Sequence, residues 1–308
     1  MSSEDRESKG IDRRCFLLTA GAAAMARPSP AARDETERKE TYAVLVDTTE
    51  CAGCQTCEQV CAEIHGMPAP DDLPEPTAQR TPTTTRLSVL SRHDTSRGEA
   101  FVKRQCMHCL EPACVAACLT RGLARTTEGP VIWREEKCMG CRFCMISCPF
   151  DTPRFEYEKP VPSLQKCDLC WDRLQQGELP ACVESCPAEA LLFGKRDEML
   201  MEARRRIVSN PDRYVDHIYG EHEAGGTGWL YLSSVPFEEL GFRTDLDNHA
   251  YPELTLTFLY SVPVVLALWP AFLLALSRAT ATDGPDAGEV PVEAMALPSS
   301  TGEREAEL

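Results

Sequence analysis

The chain has 308 residues, of which 43 % are hydrophobic, and its formal charge at pH 7 is −16. Such an acidic chain is not expected to bind nucleic acid, because phosphate binding needs a concentrated basic surface. The length allows a core of one or two domains. The chain has 17 cysteines, far more than packing requires, which indicates that much of it is devoted to sulfur chemistry.

Residues 1–32 resemble a twin-arginine export signal. Arg13 and Arg14 precede an apolar run from Cys15 to Ala26, which is too short to span a bilayer because about 20 apolar residues are needed. The alternative is an accidental arginine pair before a buried helix. If the segment is an export signal, Cys15 leaves with it and binds no metal.

The other sixteen cysteines form four groups of four, which we number in chain order. They are Cys51, Cys54, Cys57 and Cys61; Cys106, Cys109, Cys114 and Cys118; Cys138, Cys141, Cys144 and Cys148; and Cys167, Cys170, Cys182 and Cys186. The third group, which ends at Pro149, has the spacing C-x₂-C-x₂-C-x₃-C-P of ferredoxins. There, three thiolates bind one [4Fe–4S] cluster and the fourth binds its neighbour. The second group has Leu119 in place of the proline, and the fourth has eleven residues before Cys182.

Zinc and disulfides are the alternatives to iron–sulfur clusters. Zinc ribbons use two C-x₂-C pairs per ion and leave the third and fourth cysteines of each group unexplained. Disulfides would need strained or scrambled pairings among such crowded thiols. Sixteen thiolates therefore predict four [4Fe–4S] clusters. Export of an already folded, cluster-loaded protein by the twin-arginine route reconciles these clusters with an oxidising exterior.

Between and after the cysteine groups, the pattern predicts a few regular elements. Residues 66–85 are rich in Pro, Asp and Thr and indicate a surface loop. Arg86–Leu90 and Ala100–Arg104 predict a hairpin, and Val131–Trp133 predicts another strand. Arg196–Val208 has helical spacing with charged faces.

Near the C-terminus, Leu254–Ser277 is a run of 24 residues without a charge. It is long enough to cross a bilayer with some tilt, although Pro263 and Pro270 would kink the helix. The alternative is a buried core helix, which would normally show a polar face. Residues 278–308 form an acidic tail that we expect to be disordered.

The cysteine groups resemble those of a known family. The stretches that carry the resemblance are "KRQCMHC", "GCRFCMISCPF", "KCDLC" and "LPACVESCPAEALLFG". They are similar to the four-cluster ferredoxin-type electron-transfer subunits of membrane oxidoreductases, which include those of formate dehydrogenase-N, dimethyl sulfoxide reductase and the hydrogenase-2 type uptake hydrogenase. The resemblance covers about residues 41–278. The leader, the segment "YGEHEAGGTGWLYLSSVPFEEL" and the single C-terminal helix most resemble the hydrogenase-2 type.

The resemblance implies an α+β fold in which two ferredoxin-like modules, related by a pseudo-two-fold axis, hold four clusters. Residues 41–196 would form this domain, 197–253 an extension and linker, and 254–277 one transmembrane helix. Nitrate reductase-type members carry tryptophan at the position of Cys141, so four complete clusters are expected here. The implied ligand sets are site 1, Cys51, Cys54, Cys57 and Cys186; site 2, Cys167, Cys170, Cys182 and Cys61; site 3, Cys106, Cys109, Cys114 and Cys148; and site 4, Cys138, Cys141, Cys144 and Cys118.

By this resemblance, the chain relays electrons between an exported catalytic subunit of hydrogenase type and an integral membrane quinone-reactive or cytochrome subunit. It would lie on the periplasmic face of the membrane, with a cytoplasmic C-terminus. One alternative is the equivalent subunit of a formate dehydrogenase or another molybdopterin oxidoreductase. Another is a membrane-tethered structural or assembly protein, since metal binding can supply folding energy.

No substrate chemistry is expected of the chain itself, because the sequence offers neither a nucleophile–base pair nor a phosphate-binding loop. "GGTG" at Gly225 lacks the dinucleotide-binding form and predicts a turn. His65, His93 and His108 are either cluster or proton-path neighbours or, more commonly for histidine, ordinary surface or core residues.

Overall fold

The structure is a computed structural model that describes residues 41–68, 80–159 and 162–280. The predicted export signal, residues 69–79 of the predicted loop and residues 281–308 of the predicted tail lie outside the described residues. The described part is a mixed α and β structure, as predicted. Two compact units are distinguished along the chain, one ending at Thr255 and one beginning at Leu256.

The strands are short. They are β1 (Tyr42–Asp47), β2 (Val89–Thr95), β3 (Gly98–Arg104), β4 (Leu123–Arg125), β5 (Val131–Trp133), β6 (Arg154–Phe155), β7 (Leu164–Gln165), β8 (Leu191–Lys195) and β9 (Trp229–Leu232). The α-helices are α1 (Thr56–Ile64), α2 (Ala113–Ala116), α3 (Phe143–Ser147), α4 (Trp171–Gln175), α5 (Ala181–Glu184), α6 (Arg196–Ser209) and α7 (Tyr251–Thr280). Two 3₁₀ turns cover Glu135–Lys137 and Glu223–Gly225.

The main sheet has the order β8–β1–β9, with β1 antiparallel to β8 and parallel to β9. Its central strand β1 is an apolar run, as expected of a strand covered on both faces. Ala43 and Leu45 pack with α6 on one face. Val44 and Val46 face the opposite side and join the core that contains Cys182. The sheet thus separates a plain helical layer from the layer of cysteines.

The remaining strands form three two-stranded sheets, β2–β3, β4–β5 and β6–β7. The predicted hairpin is confirmed, but its first strand begins at Val89 and not at Arg86, and both strands extend to a two-residue loop across which Thr95 pairs with Gly98. The predicted strand Val131–Trp133 is confirmed as β5, which pairs with β4. The predicted charged helix is confirmed as α6.

The segment 197–253 differs from an extension with a linker. Its strand β9 hydrogen-bonds to β1, so this segment completes the main sheet. Trp229, Leu230, Tyr231 and Leu232 are all almost fully buried. Burial of these four large side chains explains why the segment belongs to the same compact unit as the cysteine groups.

The helix α7 contains both Pro263 and Pro270 and extends beyond the predicted span at each end. Ser261–Thr280 has a mean hydropathy of 1.8 and is long and apolar enough to cross a membrane. Large apolar side chains along it, including Leu266 and Phe272, are exposed. These properties suit a membrane anchor.

Candidate metal centres

Each cysteine group begins with the same backbone turn. The residue just before the second cysteine has a positive φ in all four groups, at Gly53, His108, Gly140 and Leu169. A left-handed residue bends the chain sharply, and glycine adopts it at the lowest cost. The first and third groups use glycine, whereas the second and fourth use side chains that are almost fully buried. The two-residue gap therefore has a common structural role in all four groups.

A short helix then presents the third cysteine of each group. In the first and third groups, α1 and α3 start after a left-handed residue, Gln55 or Arg142. In the second and fourth groups, α2 and α5 start after Pro112 or Pro180, within the repeated stretch Pro-Ala-Cys-Val. Alternate groups are thus built alike.

Packing of these helices brings the groups together in pairs. The helix α1 of the first group packs against α5 of the fourth, and α2 of the second packs against α3 of the third. We call the first and fourth groups the outer pair and the second and third groups the inner pair. Each pair therefore places eight cysteines in one neighbourhood.

Two cavities show which thiols converge. One is lined by Cys51, Cys54 and Cys57 of the first group together with Cys186 of the fourth. These are the four residues of site 1.

The second cavity is lined by Cys138, Cys141 and Cys144 of the third group together with Cys118 of the second. These are the four residues of site 4. Each of the two cavities thus collects three thiols from one group and one thiol from its partner group.

The other eight thiols are also close to one another across groups. Cys61 of the first group lies near enough to Cys167, Cys170 and Cys182 of the fourth to raise the pKa of each, in addition to the larger effect of burial.

Cys148 of the third group has the same effect on Cys109 and Cys114 of the second, where burial is again the larger cause of the raised pKa. The structure therefore brings together the residues of sites 2 and 3 as well.

Burial distinguishes sites 2 and 3 from sites 1 and 4. The only exposed thiols among the sixteen are Cys54 in site 1 and Cys141 in site 4. All six buried thiols belong to sites 2 and 3, and we give them as a set: Cys61, Cys106, Cys114, Cys167, Cys170 and Cys182. Sites 2 and 3 are therefore enclosed, whereas sites 1 and 4 reach the surface.

The chemistry of the thiols fits metal clusters. Burial raises the pKa values of Cys57, Cys114 and Cys170 to about 12. Such thiols become thiolates only when a cation compensates the charge, which iron does on binding. Backbone amides also point at sulfur, since Leu123 N donates to Cys118 Sγ and Leu169 N to Cys167 Sγ, both at 3.4 Å.

Within the described ranges, no three His, Cys, Asp or Glu side chains converge closely enough to bind one metal ion. A [4Fe–4S] cluster asks for a wider spacing, because each thiolate binds a different iron atom. The convergence of four thiols on each of the two cavities suits such a cluster.

The turn after the fourth cysteine keeps its geometry where proline is missing. After Cys118, the amide of Arg121 donates to the Cys118 carbonyl at 3.1 Å, and Arg121 has φ 56°. The third residue after Cys148 and after Cys186, where proline is present, has the same left-handed conformation and the same hydrogen bond. Leu119 is thus accommodated without a change in the turn.

The three histidines lie in different surroundings. His65 contacts site 2, because its Nδ1–H donates to the Cys61 carbonyl at 2.8 Å and its Nε2–H donates to Asp168 at 3.1 Å. Burial lowers the pKa of His65, but the Asp168 carboxylate and Cys61 together outweigh it and raise the pKa to about 11. His108 is a buried member of the second cysteine turn and accepts from the Val131 amide. His93 is buried in β2.

The predicted turn at "GGTG" is confirmed, and it braces the second cysteine group. Gly225 and Gly226 both have positive φ. Leu110 N donates to Gly226 O, and Gly228 N donates to Met107 O, both at 3.0 Å. This segment therefore holds the backbone on both sides of Cys109.

Sequence reasoning missed several buried charges next to the thiols. Glu58 of α1 is 1 % exposed, accepts hydrogen bonds from Arg80 and the Leu90 amide, and so ties the first group to the hairpin. Lys103 and Lys166 are 3 % and 6 % exposed and precede the second and fourth groups. The sequence signal for these buried lysines is their position beside cysteine-rich turns, where bound clusters would add negative charge.

Comparison with known proteins places the chain in a family. A family model described as a 4Fe-4S dicluster domain matches residues 99–196. A protein of Nitratidesulfovibrio vulgaris Hildenborough is 41 % identical over 92 % of this chain and 81 % of its own length. The formate dehydrogenase-O iron-sulfur subunit of Escherichia coli K12 is 33 % identical over 67 % of this chain and 70 % of its own length.

The chain belongs to the family of iron–sulfur electron-transfer subunits of hydrogenase or formate dehydrogenase type. Within that family, it is similar to the hydrogenase-2 operon protein HybA of Escherichia coli O157:H7 along almost the entire length of both chains. The identity is 32 %, over 91 % of this chain and 99 % of the relative.

Proposed function

We propose that the chain relays electrons through four [4Fe–4S] clusters between an exported catalytic subunit of hydrogenase type and a quinone-reactive or cytochrome subunit in the membrane. The main observation that supports this proposal is that the sixteen thiols lie in four neighbourhoods. Each neighbourhood has three thiols from one group and one from another. The clusters would supply one-electron chemistry, and the protein would bind them and control their surroundings. The chain has no substrate site of its own in this proposal.

The proposed ligation is crossed, with sites 1 and 2 in the outer pair and sites 3 and 4 in the inner pair. The packing of α1 on α5 and of α2 on α3 supports it. The alternate similarity of the groups supports two ferredoxin-like modules related by a pseudo-two-fold axis.

Burial supports an order for the relay. The enclosed sites 2 and 3 lie in the middle, and sites 1 and 4, with their exposed thiols Cys54 and Cys141, are the two ends. Electrons would enter at one end and leave at the other, because only an exposed cluster can approach a partner's redox centre. The large exposed side chains Leu119, Phe143 and Ile146 near site 4 support a partner interface there.

The membrane location rests on α7. Its uncharged span supports an anchor, and the resemblance of residues 1–32 to an export signal supports placement of the cluster domain on the periplasmic face. The C-terminus would then lie in the cytoplasm. Protease added to intact spheroplasts should digest the cluster domain and spare an epitope fused after Leu308, whereas a protected cluster domain with a cleaved epitope would reverse this topology.

Iron analysis and a redox titration test the relay directly. Anaerobically prepared full-length protein should contain about sixteen irons, four per cluster. All of its clusters should be reduced and reoxidised reversibly. A count near eight irons, or stoichiometric zinc, would exclude four clusters. Clusters that are present but do not cycle would instead favour the structural or assembly function.

The partner is tested separately. Similarity to the formate dehydrogenase-O iron-sulfur subunit keeps a molybdopterin oxidoreductase as the second candidate. The complex captured from native membranes through a C-terminal tag should contain nickel in the large subunit. Molybdenum or tungsten in its place would assign the chain to the second candidate.

A further inference from the structure

A buried lysine lies near the thiols of sites 1 and 2, the two sites of the outer pair. Lys103, near the end of β3, is only 3 % exposed, although lysine is almost never fully buried without a partner. Its Nζ donates to Gln105 Oε1 at 3.3 Å and lies 4.9 Å from the centre of the Trp229 ring. The side chain also lines the cavity of site 1. Its ammonium group is thus buried, and its side chain borders the cavity that the thiols of site 1 line.

The groups that face Lys103 are cysteines, which carry negative charge once they bind iron as thiolates. Across the described residues, no carboxylate lies within ion-pair distance of Lys103. Its electrostatic neighbours are Cys57 of site 1 and three residues of site 2, Cys61, Cys167 and Cys182. A buried charge is costly unless it is compensated, so clusters bound at sites 1 and 2 would be its counter-ions.

A hydrogen-bond network holds Lys103 in this position. Gln105 Nε2 donates to the Tyr231 hydroxyl at 2.7 Å, and that hydroxyl donates to the Lys103 carbonyl at 2.8 Å. Both Tyr231 and Trp229 belong to β9 and are fully buried. The network therefore fixes Gln105, the hydrogen-bond acceptor of the ammonium group, against strand β9 of the main sheet.

Resting on the proposed function, we propose that Lys103 sets the reduction potentials of the clusters at sites 1 and 2. Reduction adds one negative charge to a cluster, and a fixed cation in a low-dielectric interior stabilises the reduced form more than the oxidised form. Net charge around a cluster is a recognised determinant of its potential. Lys103 thus raises both outer potentials together. Lys103 would act on the clusters through its charge, without binding iron.

Among the described residues, the buried Lys166 that influences the inner pair is better compensated than Lys103. Lys166 influences Cys114 of site 3, but its ammonium donates to the carbonyl oxygens of Val131 and Cys167. The Asp168 carboxylate also lies close to it, and its charge opposes that of Lys166. The charge of Lys103 therefore favours electrons on the outer pair relative to the inner pair.

The test is a potentiometric titration followed by paramagnetic resonance on the full-length protein. Cys57→Ala and Cys182→Ala assign the spectra of sites 1 and 2. Lys103→Met removes the charge at similar length, Lys103→Arg keeps it, and Lys137→Met removes an exposed lysine next to Cys138 as the control.

At the wild-type midpoint potential, Lys103→Met should decrease the reduced-to-oxidised ratio of both outer clusters about tenfold or more, equivalent to 59 mV for one electron. The inner clusters should shift less, and Lys103→Arg and Lys137→Met should stay close to wild type. Outer potentials unchanged in Lys103→Met, or an equal shift at all four sites, would overturn the proposal.

Loss of the outer clusters from Lys103→Met, with retention and wild-type potentials in Lys103→Arg, would also support a requirement for the charge. Loss from both variants would overturn it and assign Lys103 a packing role. Failure of the proposed function is seen separately, because the wild-type protein would then lack four reversible clusters before any substitution is made.

Discussion

The outer and inner pairs hold the same number of thiols in very different surroundings. The outer pair rests on the three-stranded sheet, in a core that includes Val44, Leu169 and Trp229. The inner pair is supported by a smaller core built from the short strands β4 to β7, and Leu119 beside it is 90 % exposed. Cysteine spacing thus predicts the candidate ligands, whereas the surrounding core determines how enclosed each site is.

The largest effect on cluster content should come from removing single ligands of the inner pair. Cys118→Ala should damage the cluster at site 4 and spare site 3, and Cys148→Ala should do the reverse, because each removes a thiolate from the partner group's cluster. Paramagnetic resonance of the two variants should show different lost spectra. Losses that follow each residue's own group would disprove crossed ligation and with it the division into sites.

The next largest effect should come from a core substitution that destabilises one pair more than the other. Trp229→Ala should destabilise the outer region by about 3–5 kcal/mol, because it leaves a cavity between the main sheet and the thiols. Trp133→Ala in β5 is the matched control, and its cost should be smaller because Trp133 is only partly buried. Iron content and spectra after mild heating should show selective loss of sites 1 and 2 in the first variant. Equal loss from both pairs would mean that they are stabilised as one unit.

The rate at which iron is removed should also differ between the inner and outer pairs. Site 4 has an exposed thiol and a small supporting core, so a chelator under oxidising conditions should remove its iron several-fold faster than that of site 2, whose four thiols are buried. Timed quenching followed by paramagnetic resonance measures the order of loss. A faster loss from site 2 would contradict the burial argument.

The smallest effect is expected at Leu119. Leu119→Pro restores the residue found after the fourth cysteine in the third and fourth groups, and the turn already has the same conformation. The variant should bind the same iron and change the free energy of unfolding by less than about 1 kcal/mol. Leu119→Ala controls for the loss of the exposed side chain. A lost cluster in Leu119→Pro alone would show that the backbone at this position differs from that of the other groups.

Local patterns in the sequence were sufficient for the hairpin, for β5, for α6 and for the apolar helix α7, because each depends on residues close in the chain. They could not show that β9 pairs with β1, since two apolar strands about 180 residues apart carry no mark of their pairing. For this reason the sequence predicts only an extension and linker over residues 197–253.

Lys103 was missed for a different reason. A lysine in a strand normally indicates a solvent-facing position, and only the thiols gathered from distant groups make the buried position favourable. The identities of the candidate ligands follow from spacing, whereas the charges that surround them follow from tertiary structure.

The position of β1 at the centre of the main sheet has a consequence for biosynthesis. Its two partners, β8 and β9, leave the ribosome only after nearly all of the cluster domain has been made. Closing such distant pairings is slow and carries a large loop entropy. All ligands of the inner pair, by contrast, lie between Cys106 and Cys148. Cluster insertion should therefore proceed from the inner pair outward, and the main sheet closes last over a partly loaded chain.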